Sequence, residues 1–101
     1  MIIIANRRKR GVVGEYCGRP SPLGNPFTLH DERNDAERNR VCDLYERWFA
    51  DQLEARAHRF IEELKRLRAI LFATGTITLV CWCYPKRCHT QTIARWLAAN
   101  A

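Results

Sequence analysis

Apolar residues recur at three-and-four spacing from Val41 to Leu71 without a change of phase: Val41, Leu44, Tyr45, Trp48, Phe49 and Leu53, then Ala57, Phe60, Ile61, Leu64, Leu67 and Leu71. Such a stripe is the buried face of an amphipathic helix. Asn34, with Asp35 next to it and Glu37 three positions on, marks the start, because an Asn side chain can accept from a free backbone N–H and acids favour the positive end of a helix. A single helix from Asp35 to Ala73 would reach about 58 Å at 1.5 Å per residue, several times the radius of a compact domain of this length. A bend is therefore predicted near Asp51 to Arg56, and the aromatics on the stripe read as core, not as a cofactor box.

The stripe is flanked by strand signals. Met1 to Ala5 is a short, β-branched apolar run, predicted to be a central strand, and Asn6 to Gly11 sets basic residues beyond its C-terminal end, the edge where open α/β sheets place ligands. A solvated turn is the alternative there. Val12 to Cys17 alternates enough for a second strand, at an edge or paired back through a hairpin at Gly11. Gly75 ends the second helical stretch as a left-handed cap, and Thr76 to Cys83 reads as a strand. Alternation puts Ile77, Leu79, Cys81 and Cys83 on one face and Thr78, Val80 and Trp82 on the other, so cover is expected on both. Thr90 to Ala99 closes as a helix burying Ile93, Ala94, Trp96 and Leu97. The expected fold is a single α/β domain over residues 1–101, a small Rossmann-like sheet of about three strands with helices packed on it.

Composition, at 47% hydrophobic and 28% charged, is that of a globular chain. There is no run of about 18 apolar residues and no signal-peptide pattern after Met1, so a soluble cytoplasmic protein without membrane contact is expected. The five cysteines are odd in number, and three crowd between Cys81 and Cys88, so they are read as thiols, not a disulfide framework. A net charge of +6 favours an anionic partner, or serves only solubility.

Two loops carry candidate chemistry. Gly18 to Phe27 holds three prolines and two glycines, a stiff segment suited to fixing Arg19, Ser21 and Asn25; a structural connector is the alternative. Cys81 to Thr90 joins a strand to a helix N-terminus, where free N–H groups and the dipole attract anions, and adds Cys83, Lys86, Arg87, Cys88, His89 and Thr90 as side-chain partners. A plain turn with a capping His is the competing reading. Cys81, Cys83, Cys88 and His89 are the right donor types for zinc, but their spacing speaks against it, and no metal or cofactor is expected. Cys81 and Arg87 have the Cys-x5-Arg spacing of cysteine phosphatases, yet bulky rings and no glycine fill the interval. Cys88 is the stronger thiol, since a helix start beside Lys86, Arg87 and His89 should lower its pKa.

The segments Gly18-Arg19-Pro20-Ser21-Pro22-Leu23-Gly24-Asn25-Pro26-Phe27 and Leu79-Val80-Cys81-Trp82-Cys83-Tyr84-Pro85-Lys86-Arg87-Cys88-His89, with a Tyr-and-Trp helix between them at Tyr45 to Trp48, together resemble domain-of-unknown-function family 4326. The resemblance covers most of the chain and implies a phage or bacterial setting. The strand followed by a Cys-His helix start is also similar to other uncharacterised Rossmann-like bacterial domains. Arg87 is not part of the family motif, which weakens the phosphatase reading further.

The function expected is binding of an anionic small molecule, a nucleotide or other phosphorylated ligand, without turnover; in a phage this means sequestering a host defence signalling nucleotide in the host cytoplasm. Neighbouring subunits of a homo-oligomer are expected to complete the pocket. The alternatives are nucleic-acid binding through Arg7 to Arg10 and Lys65 to Arg68, and a nucleotide-processing enzyme using Cys88 and His89 as its catalytic pair.

Overall fold

Three strands and three helices follow in the order β1 (Ile2–Asn6), β2 (Glu15–Tyr16), α1 (Asp35–Ala55), α2 (His58–Thr74), β3 (Ile77–Cys81) and α3 (Thr90–Ala99) in the computed structural model, which describes residues 1–100. The sheet order is β1-β3-β2 and both pairs are parallel. The fold is α/β, as expected, but β3 and not β1 is central. Ile77, Leu79, Val80 and Cys81 are buried, whereas β1 is an edge strand with Ile3 exposed.

β2 is shorter than its alternating sequence suggests, and it is not a hairpin partner of β1. From Asn6 the chain turns at Gly11, where φ is 78°. It then crosses the sheet so closely that a Cβ on Gly14 would stand 2.6 Å from the Thr78 carbonyl oxygen. Only glycine lets the backbone pass there, and the crossing delivers β2 to the far side of β3.

The Asn34 side chain accepts from the Glu37 N–H at 3.0 Å and starts α1 as predicted. The predicted bend is a complete break. Arg56 takes a left-handed conformation at φ 52°, its N–H and that of Ala57 return to Leu53 and Gln52 carbonyls, and α2 starts at His58. Gly75 ends α2 with φ 76° and its N–H on the Leu71 carbonyl. The stripe packs as read: Tyr45, Phe49, Phe60, Leu64 and Leu67 meet Ile77 and Leu79 of β3, Ile93 and Leu97 of α3, and Leu23. Burial of this size is the main stabilising term of the fold.

Both faces of β3 are covered, Val80 on the second being 4% exposed, but helices supply the cover on one face only. Ile2 shares register with Ile77, Ile4 with Leu79, and this face meets the helices. The opposite face holds Ile3, Thr78, Val80 and Tyr16; the Gly14 crossing lies over it, not a helix. β3 also stops at Cys81, two residues early, because the Asn6 side-chain amide donates to the Trp82 and Tyr84 carbonyls at 3.2 and 2.8 Å and ends the ladder with β1. No helix among the described residues is long and apolar enough to cross a membrane.

Candidate functional site

At the C-terminal ends of β1 and β3 lies a cavity of about 460 Å³. Its walls come from both loops singled out in the sequence, from Asn6 at the end of β1 and Arg8 just after it, and from the first turns of α1. Each loop contains a cis peptide bond, Arg19–Pro20 and Tyr84–Pro85. The volume falls in the range of small-molecule sites.

Arg19, Asn25, Cys83, Lys86, Arg87, Cys88 and His89 all line this cavity. Arg19 is exposed, its nearest partner the Thr28 hydroxyl at 3.5 Å. Asn25 is used structurally, donating to the Val41 carbonyl and accepting from the Phe27 N–H. Lys86 reaches the Glu32 carbonyl at 3.5 Å. Arg87 turns its guanidinium to α1, donating to Asp43 at 2.8 Å, to Glu46 at 3.2 Å and to Asn39. Ser21 and Thr90 are not on the cavity wall. The Ser21 hydroxyl accepts from the Leu23 N–H, and Thr90 is fully buried with its hydroxyl lacking a hydrogen-bond partner among the described residues.

The positive charge at this cavity comes from side chains, and two of the amides at the start of α3 have backbone partners. The Gln91 and Thr92 N–H groups are taken by the Cys88 and His89 carbonyls. The cationic floor is instead Arg38, which the sequence reading passed over. It is 5% exposed, donates to the Glu32 and Arg87 carbonyls at 2.9 and 3.3 Å, and has no carboxylate partner among the described residues. Its Nε is buried without any partner. Glu32, the one acid on the wall, has its carboxylate on Arg8 at 3.1 Å.

Trp82 forms the rim, 44% exposed, its indole N–H on the Tyr16 hydroxyl at 3.0 Å, which in turn donates to the Arg19 carbonyl. The Arg7 and Arg8 guanidiniums sit over this ring at 5.5 and 5.7 Å. Phe27 and Pro85 add apolar wall.

All five cysteines are free. His89 donates from Nε2 to the Cys17 carbonyl at 2.7 Å, since a carbonyl can only accept, which leaves Nδ1 to face Cys88 Sγ at 3.4 Å. Burial holds the His89 pKa below its ordinary value, so the ring is neutral. The thiol order differs from expectation. Cys88 is raised by its interaction with Cys81 and then Cys83 and by burial, whereas Cys81 is lowered to about 5 and Cys83 to about 6, each chiefly through Cys88, with Arg38 adding to the shift at Cys83. Cys81, the residue a phosphatase reading needs, is buried and off the cavity wall, and Arg87 is turned away. Among the described residues no group of three or more His, Cys, Asp or Glu side chains is placed to hold a metal ion.

No curated protein and no solved structure matches the chain. A family model does: the one described as "Domain of unknown function (DUF4326)" matches residues 4–99, a span that includes both motifs and every element but the first residues of β1. The chain belongs to domain-of-unknown-function family 4326.

Proposed function

We propose that the chain binds a phosphorylated small molecule, of the nucleotide class, in the cavity floored by Arg38. The observation that carries this reading is the buried guanidinium without a carboxylate. A buried charge without a carboxylate is costly, and an anionic ligand in the cavity that Arg38 lines would offset that cost through the guanidinium's positive charge. Arg8, Arg19 and Lys86 add positive charge at the same cavity, and Phe27 with Trp82 offers apolar and aromatic surface suited to a base. Binding without turnover is favoured because Cys88 and His89 have their reactive atoms directed at each other and at Cys17. The same reading carries a cytoplasmic setting, that of the host if the chain is phage-encoded, where binding would sequester a signalling nucleotide. It also carries a homo-oligomer, which a strictly monomeric native mass would remove.

Nucleic-acid binding is the weaker reading. Of the two basic stretches it needs, Lys65 to Arg68 is largely neutralised: Lys65 meets Glu62, Arg66 meets both Glu15 and Glu63, and Arg68 lies over Trp96.

Calorimetric titration with the four ribonucleoside 5′-monophosphates and their unphosphorylated nucleosides tests the proposal. At least one nucleotide should bind one per chain, its nucleoside should not, and Arg38→Gln should weaken binding roughly ten- to hundredfold, the value of one charge-assisted bond. Equal binding of nucleotide and nucleoside, or affinity unchanged in Arg38→Gln, would contradict it.

A further inference from the structure

We propose that the ligand carries two or more linked phosphates and that Arg19, at the rim of the cavity, holds the outer one; this rests on the reading of the Arg38 cavity as a phosphate site. Five cations line the cavity: Arg8, Arg19, Arg38, Lys86 and Arg87. Two of them are neutralised within the protein, Arg8 by Glu32 and Arg87 by Asp43 and Glu46. Arg19, Arg38 and Lys86 have no carboxylate partner among the described residues. They donate only to uncharged oxygens, those of the Thr28 hydroxyl and of the Glu32 and Arg87 carbonyls.

Three uncompensated cations on one wall are more than a single phosphate neutralises. A terminal phosphate carries about −1.5 to −2 near pH 7, and each further linked phosphate adds about one more negative charge. A diphosphate, at about −3, matches the three side chains.

Arg19 is built to present its cation. The Tyr16 hydroxyl donates to the Arg19 carbonyl at 2.9 Å and accepts from the Trp82 indole N–H at 3.0 Å. Gly18 and Gly24 make room for this: a Cβ on Gly18 would collide with that hydroxyl, and one on Gly24 would stand 2.8 Å from the Arg19 backbone N. The root of the side chain is thus fixed while its guanidinium stays exposed, its nearest partner the Thr28 hydroxyl at 3.5 Å. A cation held by its backbone and free at its head loses little further entropy on meeting a ligand. Arg38 lies buried and Arg19 exposed on the same cavity, so a phosphate chain reaching outward from the first meets the second.

Matched ribonucleoside 5′-mono- and diphosphates of the four bases, titrated into the full-length protein by calorimetry at fixed ionic strength without divalent cations, test the proposal. The diphosphate should bind about tenfold or more tighter than its monophosphate, the value of one charge-assisted bond. In Arg19→Gln that margin should largely disappear while monophosphate affinity changes by no more than about threefold. Arg10→Gln removes the same charge from outside the cavity wall and should keep the margin. Equal affinity of mono- and diphosphate in the parent would overturn the proposal and leave the Arg38 reading standing, whereas no binding of either would overturn both. A margin unchanged in Arg19→Gln, or reduced as much in Arg10→Gln, would also overturn it, since the preference would then come from overall charge and not from Arg19.

Discussion

Burying a guanidinium costs free energy unless hydrogen bonds and an opposite charge offset it, and Arg38 has two carbonyl partners but no carboxylate among the described residues. A ligand role and a folding role for it separate on substitution. Arg38→Met removes the cost of a buried charge but also the hydrogen bonds to the Glu32 and Arg87 carbonyls, so it should lower the unfolding free energy in urea by no more than about 1–2 kcal/mol while nucleotide binding is lost. A drop of several kcal/mol would instead make Arg38 a structural residue. Arg38 had a signal in the sequence: it continues the stripe of Val41, Tyr45 and Trp48 one turn toward the N-terminus, a charge where the phase calls for an apolar residue. Arg87 shows the opposite limit, because proximity along the chain did not reveal that Asp43 and Glu46 on α1 take up its charge. For Cys83, Cys88 from the loop before α3, Arg38 from α1 and Cys81 at the end of β3 set its titration. Its alkylation by iodoacetamide should rise with pH to half its plateau near pH 6, not near 9, because the reactive form is the thiolate. A midpoint near 9 would show that Cys88 does not donate to it.

At the scale of elements, the helices were the most readable part of the chain, since the stripe, the Asn34 cap and the Gly75 cap are local signals. Asn34→Ala should cost about 1 kcal/mol in chemical denaturation, the usual value of an N-cap bond; no change would mean the start of α1 is held by tertiary packing. The strands were less readable because their ends are set by partners distant in sequence. β3 stops where the Asn6 amide takes the next carbonyls, and β2 is positioned by the approach of Gly14 to Thr78. Gly14→Ala should destabilise by roughly 1–3 kcal/mol, the range for forcing an atom into a packed site, and should loosen Tyr16 and with it the rim around Trp82. A variant as stable as the parent would show that the crossing loop is free to shift.

For the molecule as a whole, the α/β class and the location of the cavity at the C-terminal ends of the strands follow from patterns within the chain and from the geometry of parallel sheets. The order β1-β3-β2 and the single helix-covered face do not, because both depend on where the first loop crosses. That crossing also carries the Gly18 to Phe27 loop, with Arg19, to the side of β3 where Asn6, Arg8 and the Cys81 to Thr90 loop meet it, so the site is a product of topology as much as of sequence motif. The central claim, that the Arg38 cavity holds a phosphorylated small molecule, is tested most directly by mass spectrometry of compounds released on denaturing the purified protein. The account predicts a phosphorylated compound released near one per chain from the parent and absent from Arg38→Gln prepared in parallel. An equal yield from both proteins, or only unphosphorylated compounds from the parent, would contradict it.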